Sequence, residues 1–298
     1  MPVAAIIAIH RHDKEDEMTV LQGIVLGLLQ GIAEFLPISS SGHLAVAKEL
    51  FGLEAPLLFD VFLHLATLLA VVLFFRRKIA SLVVSLVAFI IRKKNLTVEQ
   101  SAKRDQDGHY ILSVILATVV TGVIGVLTAK LLDDDKISVK VVCAGFVFTA
   151  LLLLSSSAVA RCAAKRGGTS LATGSSPSWK QALVIGFAQG IGTLPGVSRS
   201  GSTISASLFC GVTRDVAGEF SFIVSIPAVL GAFLLELKDI GEVSQSVGAA
   251  PLIAGCIAAF ASGLCALSWL MRLVKKGRLE WFALYLIPLG VLGMIFLG

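Results

Sequence analysis

Two polar clusters interrupt the apolar sequence of this chain, and they contain the residue types that bind and transfer phosphate. One is Pro37–His43 (Pro-Ile-Ser-Ser-Ser-Gly-His) and the other is Pro195–Gly201 (Pro-Gly-Val-Ser-Arg-Ser-Gly). The guanidinium of Arg199 stays charged when it is buried, and its planar fork suits phosphate. The imidazole of His43 can serve as a general acid, a base or a nucleophile. Glu34 lies just before the first cluster, and an ionisable group inside a membrane usually marks a functional pathway.

The two clusters lie in two copies of one segment. Gln22–Gly52 and Gln181–Gly211 align without a gap when the first is moved by 159 positions. The shared residues include Gln30/Gln189, Gly31/Gly190, Ser39/Ser198, Ser41/Ser200 and Gly42/Gly201. Apolar segments that are broken at matching places in two halves of a chain predict a binding site near the middle of the membrane.

The composition is that of an integral membrane protein. Hydrophobic residues make up 56% of the chain and charged residues 15%, with a mean hydropathy of +0.88, whereas soluble domains contain about 25% charged residues. The net charge of +5 resides in a few loops, which favours the positive-inside rule over nucleic-acid binding. The five cysteines show no zinc-ligand spacing, so neither a zinc site nor a disulfide is predicted.

The apolar pattern predicts an all-α membrane protein built as an inverted-topology repeat, with six transmembrane helices and two re-entrant helical hairpins. Six stretches are long enough to cross a bilayer: 57–75, 111–132, 138–160, 216–236, 248–271 and 281–297. Four shorter pieces form the hairpins: 20–36 with 40–52, and 181–194 with 201–211.

These elements divide the chain into two repeats of one membrane domain. Repeat 1 covers 19–160 with hairpin 20–52, and repeat 2 covers 181–298 with hairpin 181–211. An N-terminal extension, 1–18, and a cytoplasmic linker, 161–180, complete the chain. Residues 79–91 are flanked by basic triplets, which favours an interfacial helix, with a short tilted span as the alternative.

Loop charges predict the orientation. Three spans per repeat is an odd number, so the second repeat enters the membrane inverted. Basic residues concentrate in 76–110, 161–180 and 272–280, while the opposite loops near 133–137 and 237–247 hold only Lys136 and Lys238. The basic side is therefore expected to be cytoplasmic. The two hairpin tips would then meet near mid-bilayer, where two helix N-termini favour an anion such as phosphate.

The histidines are interpreted differently from one another. His43 lies beside three hydroxyls at a predicted helix start, which favours a functional role. His64 lies alone in an apolar helix and is interpreted as a core residue with its hydrogen bonds satisfied. Gln30 is four residues before Glu34, so both side chains are expected on one helix face.

The two motifs together resemble the undecaprenyl-diphosphate phosphatase family, the bacitracin-resistance proteins. They are Gln30–His43 (QGIAEFLPISSSGH) and Pro195–Thr203 (PGVSRSGST), and the likeness extends over nearly the whole chain from about Thr19. The resemblance implies a multi-pass enzyme of the bacterial inner membrane that removes the terminal phosphate of undecaprenyl diphosphate. It also implies a site that faces the periplasm, a divalent cation (Mg²⁺ or Ca²⁺), and a role in cell-wall synthesis and bacitracin resistance.

Residues of this chain that match the family motifs are expected to have the roles those positions have in the family. The resemblance implies Ser40, His43, Glu34 and Arg199 as catalytic residues. The family admits Glu or Gln at the place of Gln30, so Glu34 remains as the only charged metal contact. Substrate contacts are expected from Ser39, Ser41, Gly42, Ser198, Ser200, Gly201, Thr203, Gln30 and Gln189. The nucleophile is Ser40, His43 or a water molecule, and attack by Ser40 with help from His43 and Glu34 is favoured.

A transporter is the main alternative, since inverted repeats with broken helices also suit alternating access. Such a protein would flip undecaprenyl phosphate or carry a small anion. A scaffold or sensor would leave the charges of Arg199 and Glu34 unexplained. The sequence leaves a homodimer open as a further partner.

Overall fold

The computed structural model describes residues 18–51, 57–91, 97–131, 138–165, 176–236 and 248–296, and this part of the chain contains helices and no strands. Its eleven helices are α1 (Val20–Phe35), α2 (Ser40–Phe51), α3 (Leu57–Phe74), α4 (Arg76–Ile90), α5 (Val98–Leu131), α6 (Val139–Lys165), α7 (Trp179–Ile191), α8 (Arg199–Phe209), α9 (Arg214–Glu236), α10 (Ala249–Lys276) and α11 (Glu280–Phe296). The predicted extension, apart from Met18, lies outside the described residues, as do Lys136 and Lys238.

The sequence repeat appears as a repeat in local structure. At the start of α1, the Thr19 hydroxyl accepts a hydrogen bond from the Gln22 N–H at 3.2 Å, and Gln22 Oε1 accepts from the Thr19 N–H at 2.7 Å. Ser178 and Gln181 form the same pair of bonds at the start of α7, at 3.4 and 2.7 Å. Each is a capping box, which fixes where a helix begins.

Several helices are long and apolar enough to cross a membrane, so the chain is a multi-pass membrane protein. Four of them, α5, α6, α9 and α10, meet this criterion in the described part, and they match four of the six predicted spans. The predicted span 281–297 forms α11, an apolar helix of 17 residues. The predicted span 57–75 forms α3, which turns by 80° into α4. The full pattern of six spans and two hairpins therefore stays a prediction.

Helix α4 coincides with the segment predicted to lie at the membrane surface. Its Leu82 and Ser85 are buried, whereas Val84, Phe89 and Ile90 are about 70% exposed. The 80° turn from α3 and this two-sided character are typical of an interfacial helix.

Helix α5 begins at Val98, before the second predicted span, which starts at residue 111. Hydropathy marks where a helix becomes apolar, whereas its first turn is set by capping. Here Gln100 N–H donates to the Thr97 hydroxyl at 3.3 Å, and Gln100 Oε1 accepts from the Thr97 N–H at 3.2 Å. This third capping box begins the helix 13 residues before the apolar run.

The two repeats exchange packing partners. Helix α1 packs along α10 of the second repeat, and α7 packs along α5 of the first. Glycine allows both close approaches: a Cβ on Gly27 would lie 2.8 Å from the carbonyl carbon of Gly255, and one on Gly186 would lie 2.7 Å from the Cα of Ala117. Small residues allow transmembrane helices to approach in this way, and here they hold each broken helix against the opposite repeat.

Candidate active site

The two polar clusters open onto one cavity of ≈ 210 Å³. The first break contributes Glu34, Ser39, Ser40 and Ser41, and the second contributes Gln189, Gly192, Thr193, Val197, Ser198 and Arg199. Ala33, His64 and Thr121 also line the cavity, and Ala228, Val229 and Ala232 of α9 give it an apolar wall. The structure thus brings together two segments that lie far apart in sequence.

Proline and a left-handed residue produce the first break. Helix α1 ends at Phe35, and Pro37 has no N–H with which to continue it. The backbone φ of Ser39 is 70°, a conformation that non-glycine residues rarely adopt and that often marks a functional site. The chain then enters α2 at Ser40, which directs the first turn of that helix toward the cavity.

Equivalent serines cap the two helices that start at the breaks. The Ser39 hydroxyl accepts from the Gly42 N–H at 3.4 Å, and the Ser198 hydroxyl accepts from the Gly201 N–H at 3.1 Å. Both hydroxyls therefore satisfy an N–H group of the first turn. The glycines themselves are not among the residues that line the cavity.

Glu34 is the centre of the site. Its Oε2 accepts a hydrogen bond from the Ser40 hydroxyl at 2.6 Å and from Gln30 Nε2 at 3.2 Å. Its Oε1 is paired with Nη2 of Arg199. The Glu34 side chain is only 7% exposed, and a buried charge requires such partners. The carboxylate thereby connects the nucleophile candidate of one repeat to the cation of the other.

Arg199 binds Glu34 through only part of its guanidinium. Its Nη1 is buried and has no hydrogen-bond partner in the described structure. A buried donor without an acceptor is costly, and this one belongs to a side chain that lines the cavity. An anionic ligand in the cavity would supply the missing acceptor.

His43 lies away from this group. Its Nδ1–H donates to the Ser39 carbonyl at 2.7 Å, and its Nε2 accepts from the Tyr285 hydroxyl at 2.8 Å. The ring also packs against Phe146, with a centroid distance of 5.0 Å. His43 is not among the residues that line the cavity, so it contacts α6 and α11 instead of the Glu34–Arg199 pair.

The interpretation of His64 as a core residue is wrong. Its side chain is 30% exposed and lines the cavity, with Nε2 lying 3.4 Å from Glu34 Oε2. The rule that selected Glu34, an ionisable residue inside an apolar helix, applies equally to His64 and could have found it.

The remaining predicted contacts divide into two groups. Gln189 lines the cavity and donates from Nε2 to Thr121 Oγ1 at 3.0 Å, while its Oε1 has no partner in the described residues. Ser200 and Thr203 are turned into the protein, where Ser200 contacts the Ser198 hydroxyl at 3.2 Å and Thr203 contacts Ser221. These two residues support α8 without facing the cavity.

The donor groups near Glu34 bear on the expected divalent cation. No group of three or more His, Cys, Asp or Glu side chains is arranged to hold a metal in the described part of the chain. Mg²⁺, however, is usually held by one or two carboxylates together with substrate phosphates. Glu34 lines the cavity, and the neighbouring Gln30 has a buried Oε1 without a partner. The residues therefore fit a cation that is bound jointly with a phosphate ligand.

Fold and site together define a multi-pass helical membrane protein with a buried serine–carboxylate–guanidinium centre. Residues 23–292 match the family model described as bacitracin resistance protein BacA. The chain belongs to this family, and the resemblance noted in its two motifs is confirmed.

Several similar proteins share one name, and each of them matches this chain over most of its length. An undecaprenyl-diphosphatase from Treponema denticola is 46% identical over 276 residues, which is 92% of this chain and 96% of the relative. Undecaprenyl-diphosphatases from Methanosphaera stadtmanae and Methanobrevibacter smithii are 36% and 37% identical, covering 93% and 94% of this chain and 98% of each relative.

Proposed function

We propose that this chain removes the terminal phosphate of undecaprenyl diphosphate and so regenerates undecaprenyl phosphate, the lipid carrier of cell-wall polymers. Recycling of the carrier also accounts for resistance to bacitracin. The observation that carries the proposal is the meeting of Ser40 and Arg199 on Glu34 inside one cavity.

The cavity offers several groups to a diphosphate. Arg199 Nη1 is an unused cationic donor, and the N-termini of α2 and α8 both lie at the cavity, where helix ends favour anions. The hydroxyls of Ser40 and Ser41 lie on the same wall. The prenyl chain of the bound lipid would extend out of the cavity along the apolar wall formed by α9.

Ser40 is the favoured nucleophile. Its O–H donates to Glu34 Oε2 at 2.6 Å, so the carboxylate can take the proton as Ser40 Oγ bonds to the terminal phosphorus. The bond from that phosphorus to the bridging oxygen breaks, and undecaprenyl phosphate leaves. Water then cleaves the phosphoserine and releases inorganic phosphate. Arg199 stabilises the negative charge that accumulates on the phosphoryl oxygens.

His43 is assigned a positioning role. Its Nδ1–H bond to the Ser39 carbonyl supports the left-handed backbone of that residue. Because Ser39 directs the chain into α2, this bond also orients the neighbouring Ser40.

A divalent cation, Mg²⁺ or Ca²⁺, is proposed to be held by Glu34 and the phosphate oxygens of the substrate. When bound, it would neutralise phosphate charge during the reaction. The site is proposed to face the periplasm from the bacterial inner membrane. The exposed Arg76 and Arg77, at the start of α4, support a cytoplasmic position for the opposite side.

The test is release of inorganic phosphate from undecaprenyl diphosphate and from a soluble short-chain prenyl diphosphate, by purified protein in detergent. The wild type should release phosphate from both, and Ser40→Ala should not. Ser155→Ala is the matched control, since Ser155 is an exposed serine on α6 whose hydroxyl donates to carbonyls of its own helix. A protein that only transports would release no phosphate from either compound.

A further inference from the structure

His64 lies on the cavity wall although it belongs to neither motif. It is on α3, outside both broken helices, and it is the one histidine that lines the cavity in the part of the chain that the structure describes. Its contacts indicate what it does there.

The ring of His64 is hydrogen-bonded to its own helix, and that helix is joined to α2 by an ion pair. Its Nδ1–H donates to the carbonyl of Asp60, one turn earlier on α3, at 2.8 Å. The Asp60 carboxylate is paired with Lys48 Nζ at 2.7 Å. Lys48 belongs to α2, the helix that begins with Ser40. The ion pair therefore holds α3, and with it His64, against the helix that begins with the nucleophile.

The opposite edge of the ring faces the catalytic carboxylate. Nε2 of His64 lies 3.4 Å from Glu34 Oε2, which is the oxygen that accepts the Ser40 hydroxyl. Since Nδ1–H already donates to the Asp60 carbonyl, this contact attracts the carboxylate in the doubly protonated ring, in which Nε2 also carries a hydrogen. The other oxygen, Oε1, is paired with Arg199. The two oxygens of Glu34 thus have separate sets of partners.

This division is unusual for an arginine beside a carboxylate. The two groups commonly pair through two parallel hydrogen bonds. Here Arg199 uses Nη2 on one oxygen, and Nη1 has no partner in the described structure. A small rotation of Glu34 toward the guanidinium would occupy Nη1 as well. That rotation would also withdraw Oε2 from Ser40.

We propose that His64 is a positioning residue that prevents this rotation. By holding Oε2 on the side of Ser40, it keeps Nη1 of Arg199 available for the substrate phosphate and keeps a proton acceptor beside Ser40. The inference rests on the proposed phosphatase function and deepens it, because it assigns a residue that the motifs do not contain.

The test compares His64→Ala with His64→Gln. An amide N–H of glutamine can restore the contact with Glu34, so the Gln variant should keep kcat/KM within about threefold of the wild type. The Ala variant should lose about 10- to 100-fold, the range expected when a reacting group is misplaced by about 1 Å. This loss should include a higher KM, since Nη1 becomes occupied. His109→Ala, at an exposed histidine on α5, should have no effect.

A binding measurement separates positioning from general destabilisation. Pyrophosphate binding, measured by equilibrium dialysis, should weaken in His64→Ala, and the weakening should disappear when Arg199→Ala is already present. Wild-type activity in His64→Ala, equal losses in the Ala and Gln variants, or additive losses with Arg199→Ala would each overturn the proposal. If His64→Ala does not fold, His64→Leu fills the volume and serves in its place.

The same measurement distinguishes failure of this inference from failure of the proposed function. If the wild type released no phosphate from undecaprenyl diphosphate, the phosphatase function would be wrong. The dialysis result would still show whether His64 controls the access of an anion to Arg199.

Discussion

Ser40 and Arg199 occupy the same position in the two repeats, and both donate to one carboxylate. Each is the first residue of the helix that follows its break, and the two are 159 positions apart, which is the shift that aligns the repeats. Ser40 donates to Oε2 of Glu34 at 2.6 Å, and Arg199 is paired with Oε1. Equivalent helix starts thus supply a nucleophile from one repeat and a cation from the other.

Replacing Arg199 with lysine should lower kcat/KM by about 10- to 100-fold. Lysine keeps the charge but offers a single point of contact, so it cannot bind Glu34 and a phosphate oxygen in the way a planar guanidinium does. Phosphate-release kinetics would measure the effect. Arg104→Lys is the control, because Arg104 pairs with its neighbour Asp105 near the start of α5. A variant with wild-type kinetics would remove the guanidinium from the proposed phosphate contacts.

Replacing Gln30 with glutamate should tighten the apparent affinity for Mg²⁺ or Ca²⁺. The change places a second carboxylate beside Glu34, where Gln30 has an oxygen without a partner in the described residues, and Mg²⁺ favours such oxygen ligands. EDTA should abolish phosphate release, and titration of the cation should restore it at a lower concentration in the variant. Gln100→Glu, which adds the same charge at an exposed position, should leave the titration unchanged. Full activity in EDTA would contradict the cation proposal.

Replacing His43 with alanine should remove most turnover, and Tyr285→Phe should lower it by about two- to fivefold. The histidine carries the bond to the Ser39 carbonyl, whereas Tyr285 only holds the far side of its ring. Losing a hydrogen bond between neutral groups costs about 1 kcal/mol. Equal losses in both variants would show that the Tyr285 contact, and not the bond to Ser39, carries the effect. Near-wild-type rates in His43→Ala would exclude His43 from the site.

Replacing Gly186 with alanine should destabilise the protein by about 1–3 kcal/mol, the usual range for overpacking. The new Cβ would lie 2.7 Å from the Cα of Ala117, so α7 and α5 would have to separate. Gly122→Ala is the matched control, since its Cβ would meet no atom within 4 Å and alanine favours helix formation. Thermal unfolding in detergent should therefore show a lower midpoint for the first variant only. A midpoint unchanged in Gly186→Ala would mean that the two helices adjust without loss.

The sequence predicted the parts of the site that local rules determine. Pro37 and the serine–glycine clusters stop and restart helices in any context, so both breaks were predictable. The matching of the two segments then predicted that Ser40 and Arg199 would share one site. The choice of Glu34 followed from the cost of a charge in an apolar helix.

The rest depends on contacts between distant parts of the chain. The rule for ionisable residues in apolar helices could have selected His64, but its contact with Glu34 arises because α3 packs beside α1. His43 turns toward Tyr285 because Phe146 and α11 provide its surroundings. The polar first turn of α5, capped by Thr97, precedes the apolar run and therefore lies outside the span that hydropathy predicts.

The pairing of Glu34 with Arg199 also affects product release after each turnover. With the lipid gone, Glu34 still neutralises part of the guanidinium charge through Nη2. A free orthophosphate ion has only the remaining donor, Nη1, and lacks the binding energy of a prenyl chain. The product should therefore depart readily, and the protein should be inhibited only weakly by the phosphate that surrounds a growing cell.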